Sequence, residues 1–321
     1  MPLLQGHRKN RTGRETLKRV KQAFQVPALP QPERLDKFLI QHFPRTSRGY
    51  WREALPSTVL VNGRKAQKGM FVSGGEAIEL SQIPPEENPR PAPNPDLPLR
   101  ILYEDERMIA VDKPAGMPCH PLKEEETGSL VNAMVGRFPE QADLEPAREA
   151  GLVHRLDNDT SGVVLFARDP EALEALRRLS QEGGISKTYL ALVEGHLEGK
   201  GKITHPIAHS PKNAKRMLAV TQDAKSIPAR PAETAYEVLE QKEGFTLVRL
   251  EIHVGQRHQI RVHLASLGHP IVGDILYGAA MVPGRTRHLL HAAELRFQHP
   301  FQRKSLHISA SLPEDFQLPK A

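Results

Sequence analysis

Residues 151–162 read GLVHRLDNDTSG, crowding a histidine, an arginine and two aspartates between glycines directly before the apolar run VVLFAR. A turn that leads into a buried strand can project a side chain into a cleft while the strand fixes its position. Asp157 is the residue best suited to that place. Ionised, it can attack an electron-poor carbon or steady a cationic transition state. Burial alone would raise its pKa and neutralise it, so a cation must stand nearby. Two arginines qualify: Arg155, two residues before Asp157, and Arg261 in RHQIRVHL. Arg261 is favoured as the partner. The plainer alternative makes Asp157 and Asp159 turn formers and caps, with Arg155 on the surface.

Other chemistries find less support. Cys119 is the only cysteine, which rules out an internal disulfide and suits a reducing compartment. As a nucleophile it would need His120, and an adjacent pair seldom has the geometry for proton transfer. His258 and His263 stand five apart, about 140° around a helix, and no further motif supplies a zinc triad. GKGK at 199–202 lacks the spacing of a phosphate loop or a dinucleotide fingerprint. The chemistry therefore falls to ordinary side chains, with no metal and no coenzyme.

The elements that would position these residues follow from pattern. RILYEDERMIAVDKPAG reads as two strands around an acidic turn, leading to a loop with Lys113, Cys119 and His120. SLVNAMVGRF is predicted helical and VVLFAR a buried strand. Asp169 then caps a helix with Pro170 at its first position, and Leu173, Leu176 and Leu179 face inward before Gly183 and Gly184. KTYLALVEG is a strand. AETAYEVLEQKEGFTLVRLEIHVG is a long hairpin turning at Lys242, Glu243 and Gly244. Around Arg261 the pattern suits either a helix, with Ile260, Leu264 and Leu267 apolar, or a strand. The expectation is an α+β protein with a mixed, mainly antiparallel sheet flanked by a few helices and loops.

Charge divides the 321-residue chain. Residues 1–25 hold seven Lys or Arg against one acid, so this arm carries the whole net charge of +6. Residues 1–30 are expected to be a disordered basic arm that meets a polyanion, most simply nucleic acid. Residues 31–81 read as a small domain: Leu35, Phe38 and Leu39 at helical spacing, a second helix capped by Thr46 or Ser47, a change of pattern after Pro56, then TVLVNG and EAIEL as strands. Residues 82–98 are a spacer, with seven prolines between Pro84 and Pro98. Residues 99–321 form the larger domain. No stretch approaches the roughly 20 apolar residues of a membrane span, and no apolar signal core opens the chain, so a cytoplasmic protein is expected.

HRLDNDTSG at 154–162 resembles the signature of the large RNA pseudouridine synthase family named for its ribosomal and transfer RNA members, His-Arg-Leu-Asp-x-x-Thr-Ser-Gly. KPAGMPCHP, SKTYLALVEG, HQIRVHLASLGHPIVGD and HLLHAAELRF follow the same family in order and cover nearly all of 99–300. Residues 31–81 resemble the S4 RNA-binding domain through RLDKFL, SR opening the second helix, and VLVNG with a following G-x-x-I.

The resemblance implies isomerisation of uridine to pseudouridine in RNA by a monomer, with Asp157 as catalytic aspartate, Tyr189 stacking on the base and Arg261 as partner of the aspartate. Arg155 then fills the space left by the flipped base, while His154 holds the turn. The S4 likeness implies RNA contacts by Arg45, Arg48, Arg52, Arg64 and Lys65. It favours ribosomal over transfer RNA as substrate. One departure stands out: where the family usually shows T-G-R-T-H-Q-I-R, this chain has VGQRHQIR, with Gln256 and Arg257 at the usual Arg and Thr. Backbone contacts there are put in doubt, and Arg261 stays in register.

Overall fold

The computed structural model describes residues 21–43, 46, 48–84, 90–123, 125–220, 228–281 and 287–316. They cluster into two compact units, Met1–Pro89 and Arg90–Ala321.

The first unit contains β1 (Gln22–Gln25), β2 (Glu33–Arg34), α1 (Leu35–His42), α2 (Arg48–Thr58), β3 (Val59–Val61), β4 (Arg64–Lys65), β5 (Phe71–Val72) and β6 (Ala77–Leu80). An antiparallel sheet runs in the order β1-β6-β3-β4, and β2 pairs with β5. Leu35 and Leu39 of α1 and Trp51 and Leu55 of α2 sit four apart, so each pair lies on one helix face; with Val59, Val61, Ile78 and Leu80 they make one core. Asn62 and Gly63 take φ of 51° and 72°, the left-handed pair that a two-residue hairpin turn requires. Two expectations need correction. Residues 22–25 belong to the sheet rather than to a disordered arm, because β6 offers an edge that β1 pairs. The second helix runs past Pro56 to Thr58, whose hydroxyl donates to the Ala54 carbonyl at 2.8 Å.

The second unit carries β7 (Arg100–Glu104), β8 (Met108–Lys113), α3 (Leu130–Arg137), β9 (Ser161–Ala167), α4 (Pro170–Gln181), β10 (Ser186–Glu194), β11 (Lys200–Ile203), β12 (Ile207–His209), β13 (Met217–Ala219), β14 (Thr234–Lys242), β15 (Phe245–Ile252), α5 (Gln259–Ser266), β16 (Leu290–Gln298) and β17 (Ser305–Ser309). Nine strands form one sheet, β11-β14-β15-β10-β16-β9-β8-β7, with β17 also on β16. Among the described residues, only the β9–β16 pairing of this sheet is parallel.

Strand β9 is buried throughout, and its alternation feeds two cores. Val164 and Phe166 join the core that includes residues of α3 and α5, while Val163, Leu165 and Ala167 join the core that includes α4. Gly162, the second residue of this strand, has φ 114°, and a Cβ there would lie 2.1 Å from the Ala292 carbonyl oxygen. The glycine of the quoted turn thus permits the parallel contact that anchors the site. Residues 90–98 are not a bare spacer: Asn94 donates its backbone N–H to Asn132 O at 3.0 Å, the Asn132 amide donates to Ala92 O at 2.8 Å, and Leu97 packs on the core. None of the described helices is long and apolar enough to cross a membrane.

Candidate active site

The loop before β9 is tied down residue by residue. The Leu156 N–H donates to Cys119 Sγ at 3.2 Å and the thiol donates back to Leu156 O at 3.4 Å. Lys113 at the end of β8 is wholly buried, and its ammonium donates to the carbonyls of Pro114, Met117 and Asn158 at 2.9, 2.7 and 2.8 Å. Arg287 donates to Asp159 O at 3.1 Å while gripping Asp315 with Nε and Nη2 at 2.6 and 2.7 Å. Thr160 Oγ1 meets His288 Nε2 at 2.8 Å. Asp157 between these anchors points into a cleft.

Arg261 reaches Asp157 from α5. Its Nη1 donates to Asp157 Oδ2 at 2.7 Å, and its Nε and Nη2 donate to Asp274 at 2.6 and 2.8 Å. The side chain of Asp274 is 1% exposed, that of Arg261 9% and that of Asp157 28%, so only the last faces outward. Asp274 stands where it does through Gly273, whose φ is 81° and whose Cβ would sit 2.1 Å from Arg287 O. Burial pushes the Asp157 carboxyl up, but His258 when it is protonated and Arg261, through its charge and its hydrogen bond, outweigh it and hold the group below its ordinary value.

The cleft is open to solvent and spans about 380 Å³ including its open mouth, and Arg155, Asp157, Tyr189, Gln256, His258 and Arg261 are among its walls. Tyr189 comes from β10 and is 7% exposed; burial first, then the charges of Asp157 and Cys119, raise its hydroxyl pKa, so it stays protonated. Arg155, two residues before Asp157, is exposed and lines the same cleft. His154 accepts the Leu165 N–H at 3.3 Å through Nε2, and burial lowers it to about 3, a neutral prop for the turn. Burial also raises the Cys119 thiol, which serves as a loop anchor rather than a nucleophile.

Gln256 lines the cleft, whereas Arg257 is exposed and donates to the carbonyls of Ala214 and Lys215 at 3.3 and 3.4 Å. Of the N-terminal cations, Arg52, Arg64 and Lys65 are exposed; Arg45 and the side chain of Arg48 lie outside the described residues. Sequence reasoning missed Asp274, Lys113 and Arg287. Lys113 and Asp274 each left a trace, Lys113 at the head of KPAGMPCHP with no role assigned to it and Asp274 as an acid thirteen residues beyond Arg261 in the same quoted block.

Residues 107–266 match the RNA pseudouridylate synthase family. Over 306 residues the chain is 37% identical to the ribosomal large subunit pseudouridine synthase D of Xanthomonas campestris pv. campestris, covering 91% of this chain and 89% of that protein. The chain belongs to the RNA pseudouridine synthase family. A ribosomal large subunit pseudouridine synthase D from Yersinia pestis is 36% identical over 300 residues, 88% of each chain. The solved structure of human RNA Pseudouridylate Synthase Domain Containing 1 matches the synthase with TM-score 0.54 and 28% identity, over 68% of this chain and 85% of that one. The synthase is thus an isomerase that converts uridine in RNA to pseudouridine.

Proposed function

We propose that the synthase modifies uridines of large-subunit ribosomal RNA, with Asp157 as the group that acts on the sugar. The observation that carries this reading is the chain Asp274–Arg261–Asp157 in the cleft wall, which keeps one partly exposed carboxylate ionised beside Tyr189. The ribosomal target is supported by the relatives at 36–37% identity, whose names specify the large ribosomal subunit.

The reaction detaches uracil at N1 and rejoins it through C5. A duplex hides both atoms, so the nucleotide leaves the stack at a cost of a few kcal/mol. Arg155 at the cleft wall fills the vacated place. Tyr189 stacks on the extruded ring, and Asp157 either attacks C1′ or removes the C2′ proton. The base turns inside the closed pocket, C5 bonds to C1′, and the C5 proton leaves last. Arg45, Arg48, Arg52, Arg64 and Lys65 of an S4-like N-terminal domain hold RNA phosphates, which gives affinity without reading bases.

RNA tritiated at uridine C5 tests the chemistry. Release of label into water is the expected outcome, and Asp157→Asn is expected to abolish it while RNA affinity stays within about threefold, since phosphate contacts dominate binding. Retained turnover in that variant would remove Asp157 from its role, and labelled free uracil would make the enzyme a glycosidase. Mapping pseudouridines in cells with and without the gene separates ribosomal from transfer RNA targets.

A further inference from the structure

His258 is a cleft residue to which the reaction above gives no task. It stands at the head of α5 with φ 55° and ψ 19°, a left-handed conformation uncommon outside glycine, and its side chain caps nothing. Instead Nδ1 meets the Tyr277 hydroxyl at 2.8 Å. That hydroxyl accepts the Met217 N–H at 2.9 Å and has its own proton to give to the ring. Nδ1 is then the acceptor and Nε2 carries the hydrogen. Nε2 lies 3.8 Å from Asp157 Oδ2, too far for a direct hydrogen bond. Burial lowers the pKa of the ring, which leaves it a neutral donor near pH 7.

The gap is too narrow to seat an atom on its line, but one hydroxyl oxygen set to its side can meet both groups. An oxygen about 2.8 Å from both atoms closes it, provided that it accepts from Nε2 and donates to the carboxylate. Near C1′ and C2′ the sugar offers two oxygens. The ring oxygen only accepts, so it cannot approach Asp157 Oδ2; the 2′-hydroxyl both donates and accepts. Arg261 and His258 both address Oδ2, which leaves Oδ1 to meet the reacting carbon or its proton.

We propose that His258 is a specificity-determining residue that, together with Asp157 Oδ2, grips the 2′-hydroxyl of the extruded uridine and so selects ribose over deoxyribose at the target position. This rests on Asp157 being the carboxylate that works on the sugar. The Tyr277 hydroxyl is the positioning group that fixes which ring nitrogen bears the proton.

The test uses one target RNA made with uridine or with 2′-deoxyuridine at the modified position, each tritiated at C5. The wild-type enzyme is expected to prefer the ribose target by about ten- to a hundredfold in kcat/KM, the range for leaving a buried polar group unpaired. His258→Ala is expected to slow both and the ribose target more, so that the preference falls below about threefold. His258→Gln, which keeps an N–H near the place of Nε2, restores part of it. Tyr277→Phe keeps the ring, removes the lock on its tautomer and lowers the preference partway, even if His258→Ala does not fold.

If deoxyuridine turns over too slowly to measure, the same ratios are read from the dissociation constants of the two RNAs. Equal losses on both targets in His258→Ala, or no preference in the wild type, overturn the proposal. Turnover by Asp157→Asn instead overturns the reading on which it rests, and is scored separately on the ribose target.

Discussion

Arg261 and Arg64 carry the same charge in opposite surroundings. Arg64 and its neighbours Lys65 and Arg52 are exposed on the N-terminal unit, where water screens each charge and a phosphate can be met in many geometries. Arg261 is buried between two carboxylates, with three of its donors assigned. Removing a buried charge from water costs several kcal/mol per ion unless partners replace the lost hydration, so such a group survives only in one arrangement. Exposed cations supply affinity without direction, and buried ones supply direction. The two regions should therefore fail differently when a charge is removed.

The buried side should fail first. Arg261→Met leaves Asp157 and Asp274 without their shared cation, and breaking such a pair destabilises by about 3–5 kcal/mol. Thermal unfolding measures that loss, and turnover should drop at least a hundredfold with little change in RNA affinity. The pH dependence sharpens the contrast. In the wild type the depressed Asp157 pKa contributes stability above the ordinary value of about 3.9, and that contribution is lost as pH falls through the folded-state value. Without Arg261 the burial that raises the carboxyl is opposed less, so the acid limb of residual activity should move upward. An acid limb that stays in place would mean that Arg261 does not set the ionisation of Asp157.

Lys113→Met is the next step down. The substitution keeps an apolar stem in a buried slot but leaves the Pro114, Met117 and Asn158 carbonyls short of a donor, at about 1–3 kcal/mol for each group left unsatisfied. The Asn158 carbonyl also accepts from the Gly116 N–H at 2.9 Å, so the loop is loosened rather than released. A displacement of Asp157 by about 1 Å is enough to cost turnover roughly a hundredfold. Because Lys113 touches no substrate in the proposed mechanism, kcat should fall while the KM for RNA holds. A change confined to KM would show that the lysine serves binding instead.

What could be read from sequence divides along the same line. Strand β9 and helix α4 were legible because burial and capping are local: VVLFA is apolar throughout, and Asp169, whose side chain accepts the Ala172 N–H at 2.9 Å, marks a helix start with Pro170. The pairing of Asp157 with Arg261, 104 residues apart, was reachable by asking which cation could keep a buried carboxylate ionised. Asp274, Lys113 and Arg287 were not reachable that way. Each acts through backbone carbonyls or through another side chain, and a carbonyl leaves no mark in a sequence. The helix or strand around Arg261 also stayed open, since apolar residues at 260, 262 and 264 suit both; Ile260 and Leu264 join one core and Val262 another, a division that fits a helix and not a strand. Strand β1 escaped because four residues, two of them glutamine, carry too little pattern to outweigh a basic arm.

The smallest effects belong to the exposed cations. If Arg52, Arg64 and Lys65 hold phosphates, each alanine substitution should weaken RNA binding about two- to fivefold irrespective of base sequence and flatten the salt dependence of log K by about 0.9 per contact. Turnover at saturating RNA should be unchanged, because none of the three lines the cleft. Combining all three should add nearly independently, the opposite of what a linked network such as Asp274–Arg261–Asp157 does when two members are changed together. Measuring affinity at several salt concentrations for the single and triple variants decides it. Unaltered slopes would leave these side chains as a solvated surface and confine RNA binding to other parts of the chain.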